Sequence, residues 1–353
     1  MRKMQEYIVK GNRIFIGLED SKREWKLCVR SERMIVQETR MPAEYENLRS
    51  YLKNRYPACE ITVMYEAGFQ GFWLHDLLVA DGWRCIVTPA NKVTQAKDSR
   101  VKTDKCDARR LAQNLENGDY VSCHVPDRER REDRQLSRTL SQMQQNITRV
   151  KNRIRRFLDY HGYNGDLTPG AWSDADYRAL ASLHLPDSLR ICLDLYLQEL
   201  EFFLATKKKL MEALQALCRK ERYATAVRVK LSAPGIGWLT AIRLTLEWGD
   251  MRRFRTGKHI ASFTGLTSRE YSTGETTRRG RITGQSSEQV RSWLIECAWR
   301  ALRKDPALLE KYRRVRHNSG SPKKAIVAVA RKLAVRLWAL ETTGRAYAIG
   351  IIE

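Results

Sequence analysis

The first third of the chain switches repeatedly between two hydrophobic periods. In "RIFIGLED" Ile14, Ile16 and Leu18 fall on one face and Phe15 and Gly17 on the other, the two-residue period of a buried strand. After a tight turn, "SKREWKLCVR" repeats the alternation through Trp25, Leu27 and Val29, which predicts a hairpin. "EITVMYE" and "RCIVTPA" predict two more strands, the last stopped by Pro89. Between and after these, "AEYENLRSYLKNRY", "GFWLHDLLVADGW" and "KCDARRLAQNLEN" carry helical spacing, and Gly82 closes the second of them. Strands interleaved with helices predict a mixed α/β domain built on one central sheet.

The period then lengthens. From Asp127 to about Leu158 there is no Pro or Gly, and Leu136, Leu140, Met143, Ile147, Val150, Ile154 and Leu158 recur at three and four residues. That is one long helix with a single apolar stripe. A polar break, "HGYNGDLTPG", precedes a second helical stretch from about Ser188 to Arg222. The pair predicts a helical hairpin or coiled coil, either an internal bundle or a dimerisation arm. In "LSAPGIGWLTAIRLTLEWG" the run Pro234-Gly235-Ile236-Gly237 separates two apolar helical segments. This is a helix-hairpin-helix-like pattern, in which Gly235 and Gly237 would let backbone N–H groups approach a DNA phosphate; a plain helix turn is the alternative. The expected domains are residues 1–125, 126–222 and 223–353.

Charge narrows the choice of partner. The chain has 353 residues, with 64 Lys and Arg against 41 Asp and Glu, a formal net charge of +23. Such an excess points to a polyanion, nucleic acid first and an acidic membrane surface second. No stretch is long and apolar enough to span a bilayer, and "MRKMQEYIVKGNR" lacks the apolar core of a signal peptide, so a cytoplasmic protein without a membrane partner is expected. The 8 cysteines form no CxxC pair and the 6 histidines no HxxxH pair, which argues against a zinc site. Basic residues cluster at Arg252, Arg253 and Arg255, at Arg278, Arg279 and Arg281, at Arg313, Arg314 and Arg316, and at Lys323 and Lys324, as a phosphate-binding surface would require.

Acidic residues fall where strands end and helices begin. Glu19 and Asp20 end the first strand, Glu66 ends the second apolar strand, and Asp104 and Asp107 share a helix face at i, i+3. Singly, each is explained by a cap or an ion pair. Together they would repel one another unless a cation sat among them, and hard carboxylate oxygens suit Mg²⁺. A pair of such ions could clamp a phosphodiester.

The segments "IGLEDSK", "MYEAGFQGFWLHDLL", "KTDKCDARRLA", "APGIGWLTA", "FTGLTSREYSTGE" and "RRGRITGQSSEQVRSWLIECAW" occur in that order. Together they resemble the DEDD transposases of bacterial insertion sequences, the bridge-RNA-guided recombinases, over nearly the whole chain. The resemblance implies a RuvC-like (RNase H-like) α/β domain joined through a coiled coil to a mostly α C-terminal transposase domain. It implies four Mg²⁺-binding acids, a serine that becomes covalently linked to DNA, a tetramer in which the two domains come from different subunits, and a structured guide RNA that selects target and donor DNA. Glu66, Asp104 and Asp107 match the second, third and fourth acids. At the first the family reads Gly, an apolar residue, then Asp; here Glu19 follows Gly17 and Leu18, and Asp20 stands one step late. Since one step along a strand turns a side chain to the other face, Glu19 is the favoured ligand. The family's serine precedes a Gly; here Thr273 holds that place and Ser272 the one before it. Ser272 is favoured, because a primary hydroxyl is less hindered than a β-branched one. The family's proline after "GLT" is replaced by Ser268. A metal-dependent nuclease or Holliday-junction resolvase without a covalent intermediate, and a decayed transposase that only binds nucleic acid, are the rival readings.

Overall fold

The computed structural model describes residues 11–90, 104–163, 172–273, 276–283 and 286–350, with backbone alone at 104–105, 270–273 and 276–279. The chain divides into two compact units, one ending at Val125 and one beginning at Pro126.

The first unit is a five-stranded mixed sheet in the order β3-β2-β1-β4-β5. β1 (Arg13–Asp20), β2 (Glu24–Ser31) and β3 (Met34–Pro42) form an antiparallel meander, while β4 (Glu60–Glu66) and β5 (Arg84–Thr88) run parallel to β1. Parallel neighbours need crossovers, and α1 (Tyr45–Arg55) and α2 (Trp73–Ala80) supply them. The alternation along each strand sorts the core into two layers. Ile14, Ile16, Leu18, Ile61, Val63 and Tyr65 pack with Leu48, Leu52, Leu74 and Leu78 of α1 and α2. The opposite face carries α3 (Asp104–Asn117): Met64 and Phe15 meet Leu111 and Leu115, and Cys28 meets Ala108 and Ala112. Gly17 is what lets α3 lie so close. A Cβ there would sit 2.1 Å from the Ala108 carbonyl oxygen and 2.3 Å from the Ala112 nitrogen.

β3 has no counterpart among the strands expected from the alternation. Its two-residue turn, Glu32-Arg33, has φ of +50° and +63° without the Asn or Gly that usually marks such a turn. Tertiary contacts hold it: Glu116 of α3 accepts from the Arg33 backbone N–H at 2.6 Å and from Arg30 Nε at 2.7 Å.

The second unit is helical. α4 (Arg128–Tyr160) is capped by Asp127, which accepts from the Arg130 N–H, and it packs antiparallel on α6 (Asp187–Leu217). At the distal end, Ile147, Val150, Ile154 and Leu158 form a separate cluster with Leu193 and Leu200 of α6 and with Leu180 of the short α5 (Asp174–Ser182). At the other end Leu140, Leu214 and Leu217 join one core with α7 (Glu221–Leu231), α8 (Trp238–Trp248), α9 (Gly257–Phe263), α10 (Glu288–Ala301), α11 (Pro306–Ser319) and α12 (Pro322–Thr343). The stretch from 126 to 222 therefore does not stand apart, because its base is part of the C-terminal core. Nor does the second long helix reach Arg222: it ends at Leu217, and α7 starts afresh at Glu221. β6 (Ser268–Thr273) and β7 (Thr276–Ile282) form an antiparallel hairpin.

Two buried cations tie these helices together. Lys230 of α7 is fully buried and pairs with Glu341 of α12. Arg243 of α8 donates to Ser137 Oγ at 3.1 Å and to Ser141 Oγ, and lies 4.0 Å from the centroid of the Trp293 ring.

Candidate catalytic edge

Parallel pairing of β1 and β4 brings their carboxyl ends to one edge. Leu18 stands opposite Tyr65, so Glu19 and Glu66 are the next residues along neighbouring strands. Both side chains take the parity of Gly17 and Met64, the face under α3. α3 runs antiparallel to β1, since Ala108 and Ala112 cover Gly17 while Leu111 and Leu115 reach back to Phe15. Its first turn therefore lies toward Glu19. Asp104 opens the helix, and Asp107 shares the stripe of Ala108, Leu111 and Leu115 that faces the sheet. Glu19, Glu66 and the Asp104–Asp107 turn thus belong to one edge and one layer.

Each described acid already has company. Ser21 Oγ donates to Glu19 at 2.9 and 3.2 Å. Asp107 accepts from Arg110 Nη1 at 3.2 Å. Among the described side chains, no three of His, Cys, Asp or Glu stand close enough to hold an ion. The fit to a divalent metal lies in the donor type, all carboxylate, and in the shared layer; the Asp104 carboxylate is outside the described residues.

Asp20 sits on the opposite face. It pairs across the sheet with Trp25, whose buried ring belongs to the α1–α2 core. One carboxylate oxygen, Oδ2, is buried without a hydrogen-bond partner. Burial, with the charges of Glu19 and Glu66 adding to it, pushes this carboxyl up to about 7. A one-residue difference in register thus separates two adjacent acids into two layers of the domain.

Two side chains bordering this edge escaped the sequence reading. Phe69, 61 % exposed, lies in the loop after Glu66, and Lys22 from the loop after β1 stands 5.9 Å from its ring centroid. The available signal was an aromatic inside the Gly-flanked run "AGFQG" just past a strand-end acid.

The remaining candidates lie in the helical unit. Ser272 and Thr273 close β6, their backbones opposite Thr277 and Thr276; Arg278 and Arg279 follow on β7, opposite Tyr271 and Glu270. The side chains of these four lie outside the described residues. Arg281 is exposed. The two glycines of the α7–α8 turn differ. Gly237, the N-cap of α8, has open space where a Cβ would be. Gly235 has φ of +81°, and a Cβ would fall 2.5 Å from the Cys297 carbonyl oxygen. It faces inward against α10, whose close approach its missing side chain permits. Arg253 is likewise drawn into the fold: its guanidinium lies over Phe254 and Phe263 and donates to the Trp248 carbonyl.

Comparison with known families finds two matched segments. Residues 16–162 match a family model described as transposase, of the IS110 DEDD type, and residues 228–313 match the model described as the transposase IS116/IS110/IS902 family. The match over residues 16–162 gives the first class, a DEDD transposase domain, and the mixed α/β sheet is consistent with a RuvC-like one. More particularly, the two matched segments are domains of the IS110/IS116/IS902 transposase type. The chain is similar to "Putative transposase y4qE" of Sinorhizobium fredii, 30 % identical over 67 % of this chain and 57 % of that protein. It is also similar to the transposase for insertion sequence element IS1533 of Leptospira borgpetersenii, 23 % identical over 92 % of this chain and 94 % of that one. Against y4qE, then, the match spans little more than half the relative's length. Among the described residues, no helix is long and apolar enough to cross a membrane.

Proposed function

We propose that the protein cleaves and rejoins DNA as an RNA-guided, Mg²⁺-dependent recombinase with a covalent serine–DNA intermediate. The observation that carries this is the shared layer of Glu19, Glu66 and the first turn of α3 at the carboxyl edge of the sheet. Glu19, Glu66, Asp104 and Asp107 would hold Mg²⁺, which supplies charge stabilisation at the phosphodiester. Release of Asp107 from Arg110 would free one of those ligands. Ser272 Oγ attacks phosphorus; the new Oγ–P bond forms as the P–O3′ bond breaks, and the serine proton ends on the departing 3′ oxygen. Exposed Arg281, with Arg278 and Arg279, holds backbone phosphates.

The net charge of +23 supports DNA and a structured RNA as partners. Self-association, from dimer to tetramer, is supported by an exposed apolar stripe on α6, where Ile191, Leu195 and Phe202 are 61, 57 and 65 % exposed.

The test is a covalent adduct assay with guide RNA, paired DNA substrates and Mg²⁺. The parent and Thr273→Ala form a protein–DNA adduct, and Ser272→Ala does not. Survival of the adduct in Ser272→Ala with its loss in Thr273→Ala would move the nucleophile. Cleavage without any adduct, intact in both variants, would support the second reading, a metal-dependent nuclease, which needs the acids alone.

A further inference from the structure

The distal end of the α4–α6 hairpin carries a groove that the catalytic reading does not use. Its open volume is about 670 Å³, and it is lined by Arg149, Arg153, Arg156, Phe157 and Tyr160 of α4 and by Tyr196 of α6, with Asn152 and His161 at its margins. Arg149, Arg153, Arg156 and Tyr160 recur at four, three and four residues, so they form one row along the helix. The row spans roughly 16 Å at ~1.5 Å per residue, which matches about five stacked nucleotides at ~3.4 Å each.

The chemistry of the row is specific. Three guanidiniums line the groove, and one of them, Arg153, is paired with the Glu199 carboxylate. The aromatic groups are graded in exposure. Phe157 and Tyr196 are half-buried and meet edge to face, with ring centroids 5.8 Å apart. Tyr160 is 86 % exposed, and its ring meets His161 edge on at 5.0 Å. A tyrosine so exposed contributes almost nothing to the core, and its π face is open to a ligand. A row of arginines ending in an open aromatic ring suits a strand whose phosphates run along the row while a base stacks on the ring. A duplex does not offer such a base without unstacking. Folded RNA does, in its loops and bulges.

We propose that this groove binds an unpaired loop segment of RNA, with Arg149 and Arg156 on phosphates and Tyr160 under a splayed base. The proposal deepens the reading of the protein as RNA-guided and rests on it for the biological source of the strand. Its own test needs no catalysis.

The experiment is fluorescence anisotropy with the full chain and four labelled probes: an RNA stem closed by an unpaired loop, a fully paired RNA, single-stranded DNA of the loop sequence, and duplex DNA. Tyr160→Ala weakens loop RNA by roughly tenfold, the scale of one lost base stack. Tyr160→Phe restores it, and Tyr160→Leu does not. Arg149→Gln with Arg156→Gln weakens loop RNA further and flattens its salt dependence by about two phosphate contacts. Paired RNA and duplex DNA are unaffected by the tyrosine changes. Three results would each overturn the proposal: unchanged loop-RNA affinity in Tyr160→Ala, an equal loss for duplex DNA, or an equal loss for single-stranded DNA. If the chain proves to be an unguided nuclease, the adduct assay fails while these binding differences remain, so the two ideas fail separately.

Discussion

Replacing Glu341 by Leu strips the only carboxylate paired with Lys230 among the described residues, and Lys230 is fully buried. Its ammonium is held by that carboxylate and lies 5.8 Å from the Trp248 ring centroid. A buried charge left without its partner costs about 3–5 kcal/mol. For a helical unit of the size of residues 126–353, that lowers the melting temperature by roughly 6–20 °C. Burial already pulls the Lys230 ammonium below its ordinary range, with the Glu341 charge opposing the shift. Between the depressed folded value and the ordinary one near 10.5, the unfolded chain holds more protons, so stability rises with pH. Without Glu341 the folded value drops further, because the charge that opposed the shift is gone. The deficit of the variant relative to the parent therefore shrinks as the pH rises from 7 toward 10.5. The assay is urea and thermal unfolding of the full chain by circular dichroism at several pH values. Lys230→Met combined with Glu341→Leu removes both charges and recovers stability to within about 1 kcal/mol of the parent or above it. The reasoning is refuted if Glu341→Leu costs less than about 1 kcal/mol, if its deficit is constant across that pH range, or if the double variant is as unstable as the single one.

Three further outcomes follow from the geometry. Gly17→Ala forces a Cβ into the backbone of α3 and costs about 3 kcal/mol or more in urea unfolding, with weaker divalent-ion binding because α3 carries Asp104 and Asp107; an unchanged midpoint would mean the close crossing is not real. Gly235→Ala destabilises strongly through both its positive φ and the Cys297 carbonyl, whereas Gly237→Ala leaves stability within about 0.5 kcal/mol and shows its effect, if any, in duplex binding. Glu19→Gln lowers Mn²⁺ affinity by calorimetry more than about tenfold and abolishes cleavage, while Asp20→Asn preserves both; the reverse pattern would return Asp20 to the site.

Much of this architecture is legible in local patterns. The two-residue alternation in β1, β2 and β4 needs no partner to be seen, because each strand has a face that must be buried. The same holds for α4, whose apolar stripe runs through the helix without a Pro or Gly to interrupt it. β3 was not legible. Its strand is half-buried along most of its length, and its turn depends on Glu116, some eighty residues away. The packing role of Gly235 was not legible for a related reason: a glycine that turns a chain and a glycine that admits a neighbouring helix look the same in sequence, and only the position of α10 reveals the second.

The sequence by itself determined the periods, the strand-end acids and the excess of positive charge, since each is a property of neighbours along the chain. It also determined that Glu19 and Asp20 must point to opposite faces, because strand geometry allows nothing else. Which face gathers the other strand-end acids was decided only in three dimensions. The parallel pairing of β1 with β4 brings Glu66 beside Glu19, and the missing side chain of Gly17 lets α3 settle over that face with its acidic first turn toward them. Asp20 is left against Trp25 in the other layer, an acid whose charge the fold opposes through burial.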